Sequence, residues 1–196
     1  MQVLERTYDR LVERAGAQHG FVRTTDLDEM QIPQVYVRKL AARGRAQHRA
    51  RGLYRLTALP VTANDEYHEA VLWAGDDAAI AGEAALALWN LADVNPRRIE
   101  VAVAPRHRVR RRDTGRFTVT ATNLRPQDID FVDGIPVVVP ATAIGQVIAR
   151  GMEGTLVEQA IAAAAARGMF NRVDEARLRV ALDDRHRHAR VRVAAR

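Results

Sequence analysis

Asp128 and Asp130 form an Asp-x-Asp pair, the arrangement with which carboxylates hold a divalent metal in nucleases and polymerases. Alternation along an extended run would put both on one face of a strand. They immediately precede an Asp133-Gly134 turn, however, and no glycine-rich phosphate loop accompanies them. His186 and His188 offer two imidazoles, but arginines interleave them and no second ligand cluster is evident. The chain has neither cysteine nor serine, which removes thiolate ligands and the usual hydroxyl nucleophile. Its sole lysine, Lys39, stands in a helix far along the chain from these aspartates, which disfavours a nuclease core of the Asp/Glu-x-Lys kind. Solvated or turn-capping carboxylates are the expectation. No catalytic residue, metal or cofactor is assigned, and an enzyme is not expected.

The residues that do suggest chemistry are basic and clustered. The 196-residue chain has a net charge of +6, with 11 basic against 6 acidic side chains in residues 1–60 and 2 against 8 in residues 61–104. A basic block followed by an acidic one suggests a nucleic-acid-facing module joined to something else. Within it, Arg38 and Lys39 suit phosphate or guanine contacts and Gln34 could read adenine. Arg49 and Arg51 suit phosphates, which position a protein without specifying sequence. Thr24, Thr25, Tyr36, Arg43, Arg45, His48 and Tyr54 complete the candidate DNA-contacting set. Solvated charge explains isolated arginines equally well, and Tyr36 and Tyr54 individually suit packing better than contact. The order of the elements carrying these residues therefore decides.

Tyr8, Leu11, Val12 and Ala15 recur at helical spacing and predict a first helix from about Gln2 to Gln18, stopped at His19-Gly20. Phe21-Val22 reads as a short extended piece. Thr25 is placed to cap a second helix, Asp26 to about Met30. Ile32-Pro33 breaks the chain. A third helix, about Pro33 to Ala42, is predicted to turn Val35, Leu40 and Ala41 inward. Two short alternating runs, Arg45–Arg49 and Leu53–Leu56, flank a glycine-containing turn and read as a hairpin. Three helices followed by a basic hairpin is the order of a winged helix-turn-helix, whose third helix enters a major groove.

Beyond a linker at Pro60–Asn64, helices are predicted at Asp65–Ala74 and Gly82–Leu91. Strands follow at Ile99–Ala104 and Arg116–Thr122, then a hairpin at Ile129–Val132 and Ile135–Val139 about Asp133-Gly134. Further helices are expected at Ala141–Arg150, Thr155–Arg167 and about Val173–Leu182. The fold class is α+β: an N-terminal winged helix-turn-helix (1–60), a domain with a small antiparallel sheet and several helices (61–182), and a basic tail (183–196) without enforced structure. Early charge at Glu5-Arg6 argues against a signal peptide, and Ala160–Ala166 is too short to span a bilayer, so a soluble cytoplasmic protein is expected.

The succession Gly20-Phe21-Val22, Leu40-Ala41-Ala42-Arg43-Gly44 and Arg51-Gly52-Leu53-Tyr54-Arg55-Leu56 resembles the N-terminal winged helix of the AbiEi antitoxins of type IV toxin–antitoxin systems. Ala84-Ala85-Leu86-Ala87-Leu88-Trp89 is similar to that family's helix after the linker. The run from Ile135 to Ile144 is similar to its strand-to-helix junction. The resemblance covers roughly residues 1–168, and the Arg-Gly-Leu-Tyr wing is its most specific part. At the junction the family's Arg-Thr-Leu-x-Asp pattern is absent: Ala141 stands where the arginine would be, and Gly145-Gln146 where the Leu-x-Asp piece would end. The resemblance implies a transcriptional autorepressor and antitoxin that binds inverted repeats of double-stranded DNA in its own promoter. It implies a cognate nucleotidyltransferase-like toxin as partner, without need of a stable complex. A monomer binding cooperatively and a dimer are both compatible with it. An antitoxin acting mainly by direct binding to its toxin, and a plain repressor without a toxin, are the alternatives. The basic stretch Arg106-His107-Arg108-Val109-Arg110-Arg111-Arg112 would add DNA contacts or contacts between neighbouring copies, or form a solvated loop.

Overall fold

The computed structural model describes residues 2–106 and 115–194, so the basic stretch from His107 to Arg112 lies outside the described residues. The chain forms two compact units, dividing between Ala78 and Ala79. The first unit contains α1 (Gln2–Gly16), β1 (Phe21–Arg23), α2 (Thr24–Glu29), α3 (Val35–Ala42), β2 (Ala46–Ala50), β3 (Leu53–Leu56) and α4 (Asp65–Ala74). Its three strands make an antiparallel sheet in the order β1-β3-β2, with Phe21 opposite Arg55 and Ala46 opposite Leu56. Leu11 and Ala15 from α1, Leu27 from α2, Val37 and Leu40 from α3, and Leu56 from β3 meet in one core. The reversal after α1 occurs at His19 (φ 50°) and Gly20 (φ 86°). There the Gly20 N–H donates to the Ala15 carbonyl at 2.7 Å, and the Gly20 carbonyl accepts from the Leu56 N–H at 2.8 Å.

Two local expectations change. Helix α2 starts at Thr24 with Arg23 as its cap, so Thr25 lies inside the helix and exposed. The start is fixed by Asp26, which is fully buried in the first turn and reaches back to accept from the Arg23 backbone N–H at 2.7 Å. Burial alone would raise the Asp26 carboxyl, but hydrogen bonds from the Arg23 backbone and the Arg14 guanidinium outweigh it and hold the group below the usual carboxylate range. In α3, Val37 is buried beside Leu40, whereas Val35 is 50% exposed. The helix is rotated so that Val37 and Leu40, with Tyr36 and Ala41 partly buried beside them, supply its inward face in place of Val35.

The first unit also extends past the expected linker to include α4. Arg55, on the central strand, is 8% exposed. Its Nε donates to Asp65 at 3.0 Å, and its remaining N–H groups reach the carbonyls of Leu56, Leu59 and Pro60, the last at 2.7 Å. Asp65 in turn accepts from the backbone N–H and hydroxyl of Thr62. His68 is buried on α4 with its ring 4.8 Å from that of His19 and 6.1 Å from that of Phe21, and neither of its nitrogens has a hydrogen-bond partner among the described residues. The segment between β3 and α4 is thus tied down at several points.

In the second unit, α5 (Gly82–Leu88), α6 (Pro140–Arg150), α7 (Gly154–Ala166) and α8 (Arg172–Ala194) accompany a five-stranded sheet. The strands are β4 (Ala79–Ile80), β5 (Ile99–Val103), β6 (Phe117–Ala121), β7 (Ile129–Val132) and β8 (Ile135–Val138), in the order β6-β5-β4-β8-β7. The α+β class holds, and the sheet is mixed: β4 pairs antiparallel with β5 and β7 with β8, while β4–β8 and β5–β6 are parallel. The Asp133-Gly134 turn has φ of 49° and 76°, the two positive values that a tight hairpin with right-handed strand twist requires. Asp128 sits in a 3₁₀ turn ahead of β7, not on the strand with Asp130, and accepts from Arg125 through both backbone and guanidinium. Helix α8 runs to Ala194, so the expected tail begins as helix; Leu178 and Leu182 bury its inner face.

Replacing Arg55 by alanine leaves Asp65 buried without its counter-charge, and the expected loss is about 3 kcal/mol of unfolding free energy, measured by denaturant titration. Acid should also weaken the first unit. Burial, helped by the neighbouring His19, pushes the His68 imidazole down to about 4, against an ordinary value of 6.5. The folded state therefore keeps His68 neutral while the unfolded chain takes up a proton below pH 6.5. Stability is complete above that pH and falls as the pH drops toward 4, by about 2 kcal/mol at pH 5. Denaturant titrations at pH 7.5 and 5 should show this slope in the wild type and a flatter one in His68→Phe.

Candidate nucleic-acid interface

The period of α3 sorts its eight residues into two faces. Val37 and Leu40 are buried, while Val35, Arg38, Lys39 and Ala42, at spacings of three, four and seven, are exposed together. Arg43 follows, exposed, as the residue closing the helix. None of Arg38, Lys39 and Arg43 forms an ion pair among the described residues. By contrast Arg14, Arg23, Arg49 and Arg55 each hold a carboxylate of the same unit: Asp26 and Glu29, Asp26 and Asp76, Glu69, and Asp65 respectively. The unit's buried acids are thus matched to one set of arginines, and the cations of α3 are left facing solvent.

The hairpin of β2 and β3 forms the wing. Arg51 and Gly52 make its tip, and Arg51 is exposed there. Gly52 has φ of 70°, its carbonyl accepts from the Thr24 N–H at 3.0 Å, and an added Cβ would stand 2.8 Å from the Thr24 hydroxyl oxygen. A glycine is needed both for the backbone sign and for the close approach to α2. Thr24 is thereby a brace for the wing. The register shifts between His48 and Ala50, a bulge centred on Arg49.

The other candidates divide by environment. Gln34 caps the start of α3 and donates its amide to Asp28 at 3.2 Å. Arg45 is exposed and stacks over the Tyr8 ring at 3.7 Å. Tyr36 is partly buried against the core, and that burial raises its hydroxyl above the ordinary value. Together with Tyr8 and Ile32 it walls a groove of about 670 Å³ between α1 and α3, rimmed by Lys39 and Arg43. His48 is exposed with its ring 5.1 Å from Tyr54. Two further candidates have partners or packing inside the unit. Tyr54 is 8% exposed and part of the core, so it supports the wing from inside. Arg49, expected to contact phosphate, forms a two-pronged pair with Glu69 of α4 at 3.1 and 2.8 Å. What sequence reasoning missed is Val35, whose apolar character argued for the core, and Arg55, which looked like one more surface arginine.

Comparison with known proteins agrees with the resemblance over this unit. Residues 9–57 match the family model described as transcriptional regulator, AbiEi antitoxin. The matched segment runs from α1 through both strands of the wing. A search of curated proteins returned no match. Among solved structures, the chain is similar to the crystal structure of the RV2827C protein from Mycobacterium tuberculosis, with a TM-score of 0.49 and 16% identity over 90% of this chain and 76% of that one. Among the described residues no helix is long and apolar enough to cross a membrane.

Because Glu69 is 3% exposed on its side chain, Arg49→Ala removes the guanidinium paired with a buried carboxylate. The expected result is a fall in unfolding free energy of about 3 kcal/mol, read by thermal or denaturant unfolding, which the double replacement Arg49→Met/Glu69→Met largely restores.

Proposed function

We propose that this protein is a DNA-binding transcriptional autorepressor and antitoxin, with α3 as its recognition helix and the β2–β3 hairpin as its wing. The observation that carries the reading is the exposed face of α3, where Arg38 and Lys39 stand with no counter-charge among the described residues while nearby arginines are paired. Unpaired cations on an exposed helix suit an external polyanion, and the helix fits the major groove of B-DNA. Arg38 and Lys39 are the base or phosphate contacts, Arg43 and Arg45 extend the basic rim, and Arg51 at the wing tip grips flanking backbone. The match of residues 9–57 to the AbiEi regulator family supports the same reading. From that family comes the further proposal that the target is a set of repeats in the protein's own promoter, and that the second unit serves to neutralise a nucleotidyltransferase-like toxin.

One observation favours direct toxin binding as the second reading. Edge strand β7 carries Phe131, 63% exposed, where another chain's strand could add to the sheet. Stable co-purification with the toxin would favour it over action through DNA or through other components.

The test is fluorescence anisotropy with a duplex from upstream of the gene and a scrambled duplex, across a salt series. Selective binding that weakens steeply with salt is expected; equal weak binding to both duplexes would overturn the proposal. Arg38→Ala should cost about 1–3 kcal/mol on the selected duplex if it reads a base, with less effect on the scrambled one. Arg51→Ala should weaken both duplexes alike and lower the salt slope by about one.

A further inference from the structure

The exposed face of α3 is not uniformly basic. With successive residues turned by about 100° around a helix, Val35 and Ala42 fall within about 20° of each other at the middle of that face. Arg38 lies about 60° to one side and Lys39 about 40° to the other. The face therefore has an apolar centre flanked by cations. Val35 is the first residue of the helix and is 50% exposed, among the largest exposures of any apolar side chain in the first unit. A β-branched side chain at that place gains nothing for the core, which Val37 and Leu40 already supply.

We infer that Val35 contacts the 5-methyl group of a thymine in the major groove and so sets the base preference at one position of the binding site. The N-terminal residues of a recognition helix are the ones that reach base edges, while residues on the flanks meet the sugar–phosphate walls. An isopropyl group offers no hydrogen bond, so guanine, cytosine and adenine edges would lose solvation against it. The thymine methyl is the one apolar feature of the major-groove surface. Arg38 and Lys39 on either side then fix the helix across the groove, and Val35 discriminates at its centre. This inference rests on the DNA-binding reading above and adds a residue to it.

The experiment uses the full-length chain. A random-sequence duplex pool is selected on the wild type and on Val35→Ala, which should fold normally because the side chain is half exposed. Each thymine of the selected site is then replaced singly by deoxyuridine, which removes only the methyl. At one position the replacement should weaken wild-type binding by about fourfold, the effect of one buried methyl group. The same replacement should leave Val35→Ala unchanged, and the base preference there should relax in the pool selected on that variant. Measuring both proteins on both duplexes cancels any change in DNA shape. A selected site in which no thymine-to-deoxyuridine replacement depends on Val35 would overturn the inference while leaving DNA recognition intact. Failure of the wild type to select any sequence would overturn both.

Discussion

A guanidinium buried in the central strand of the first sheet constrains much of what surrounds it. Arg55 on β3 stands opposite Phe21 of β1 and is almost fully enclosed. A charge removed from water is tolerated only where a counter-charge and hydrogen-bond acceptors replace its hydration. Asp65 supplies the first, and the carbonyls of Leu56, Leu59 and Pro60 supply the second. These requirements dictate the path after the wing. The chain must curl so that three carbonyls point inward, and α4 must begin where its first carboxylate meets Arg55. Such a pair adds little net stability over an apolar substitute, but it favours one arrangement, because alternatives leave a charge stranded.

The same logic organises three further arginines of the unit. Arg49 ties β2 to α4 through Glu69, and Arg14 and Arg23 converge on Asp26 at the start of α2. Both acids are buried, and the Arg49–Glu69 and Arg14–Asp26 pairs join segments distant in sequence. This leaves the α3 cations without internal acids to satisfy, and it leaves the wing tip projecting from a braced hairpin. A rigid frame with an unneutralised edge is what electrostatic capture of a polyanion requires: the frame keeps the spacing of the contacts, and the edge supplies the attraction.

In the second unit the arrangement departs from a simple meander. Strand β4 has only two residues, yet it sits at the middle of the sheet, antiparallel to β5 and parallel to β8. Next to it, Gly82 has φ of 56° and is enclosed by the Glu100–Arg150 pair, and its N–H donates to the Gln146 side chain at 2.9 Å. Gln146 belongs to the junction where the expected family charges are missing. A neutral amide suits the task seen here, which is to satisfy one backbone donor at the start of α5.

Much was legible from residue pattern alone. The period of Leu11 and Ala15 placed α1, the Arg51-Gly52 turn placed the wing, and Asp133-Gly134 placed the β7–β8 hairpin, because short-range spacing and turn chemistry are properties of the local chain. The order of three helices and a hairpin, with Arg38 and Lys39 on the third, followed from the same signals. Position in space did not. Arg49, Arg51 and Arg55 are one residue type within seven positions of one hairpin, and only the packed structure separates a strap to α4, an exposed tip and a buried anchor. Val35 and Val37 likewise differ only in the rotation of α3 against its core. Sequence determined which elements form and where basic side chains concentrate; the tertiary structure decided which of those side chains are neutralised. Pairing depends on carboxylates brought in from Asp65 and Glu69, and no local pattern specifies a contact made across the fold.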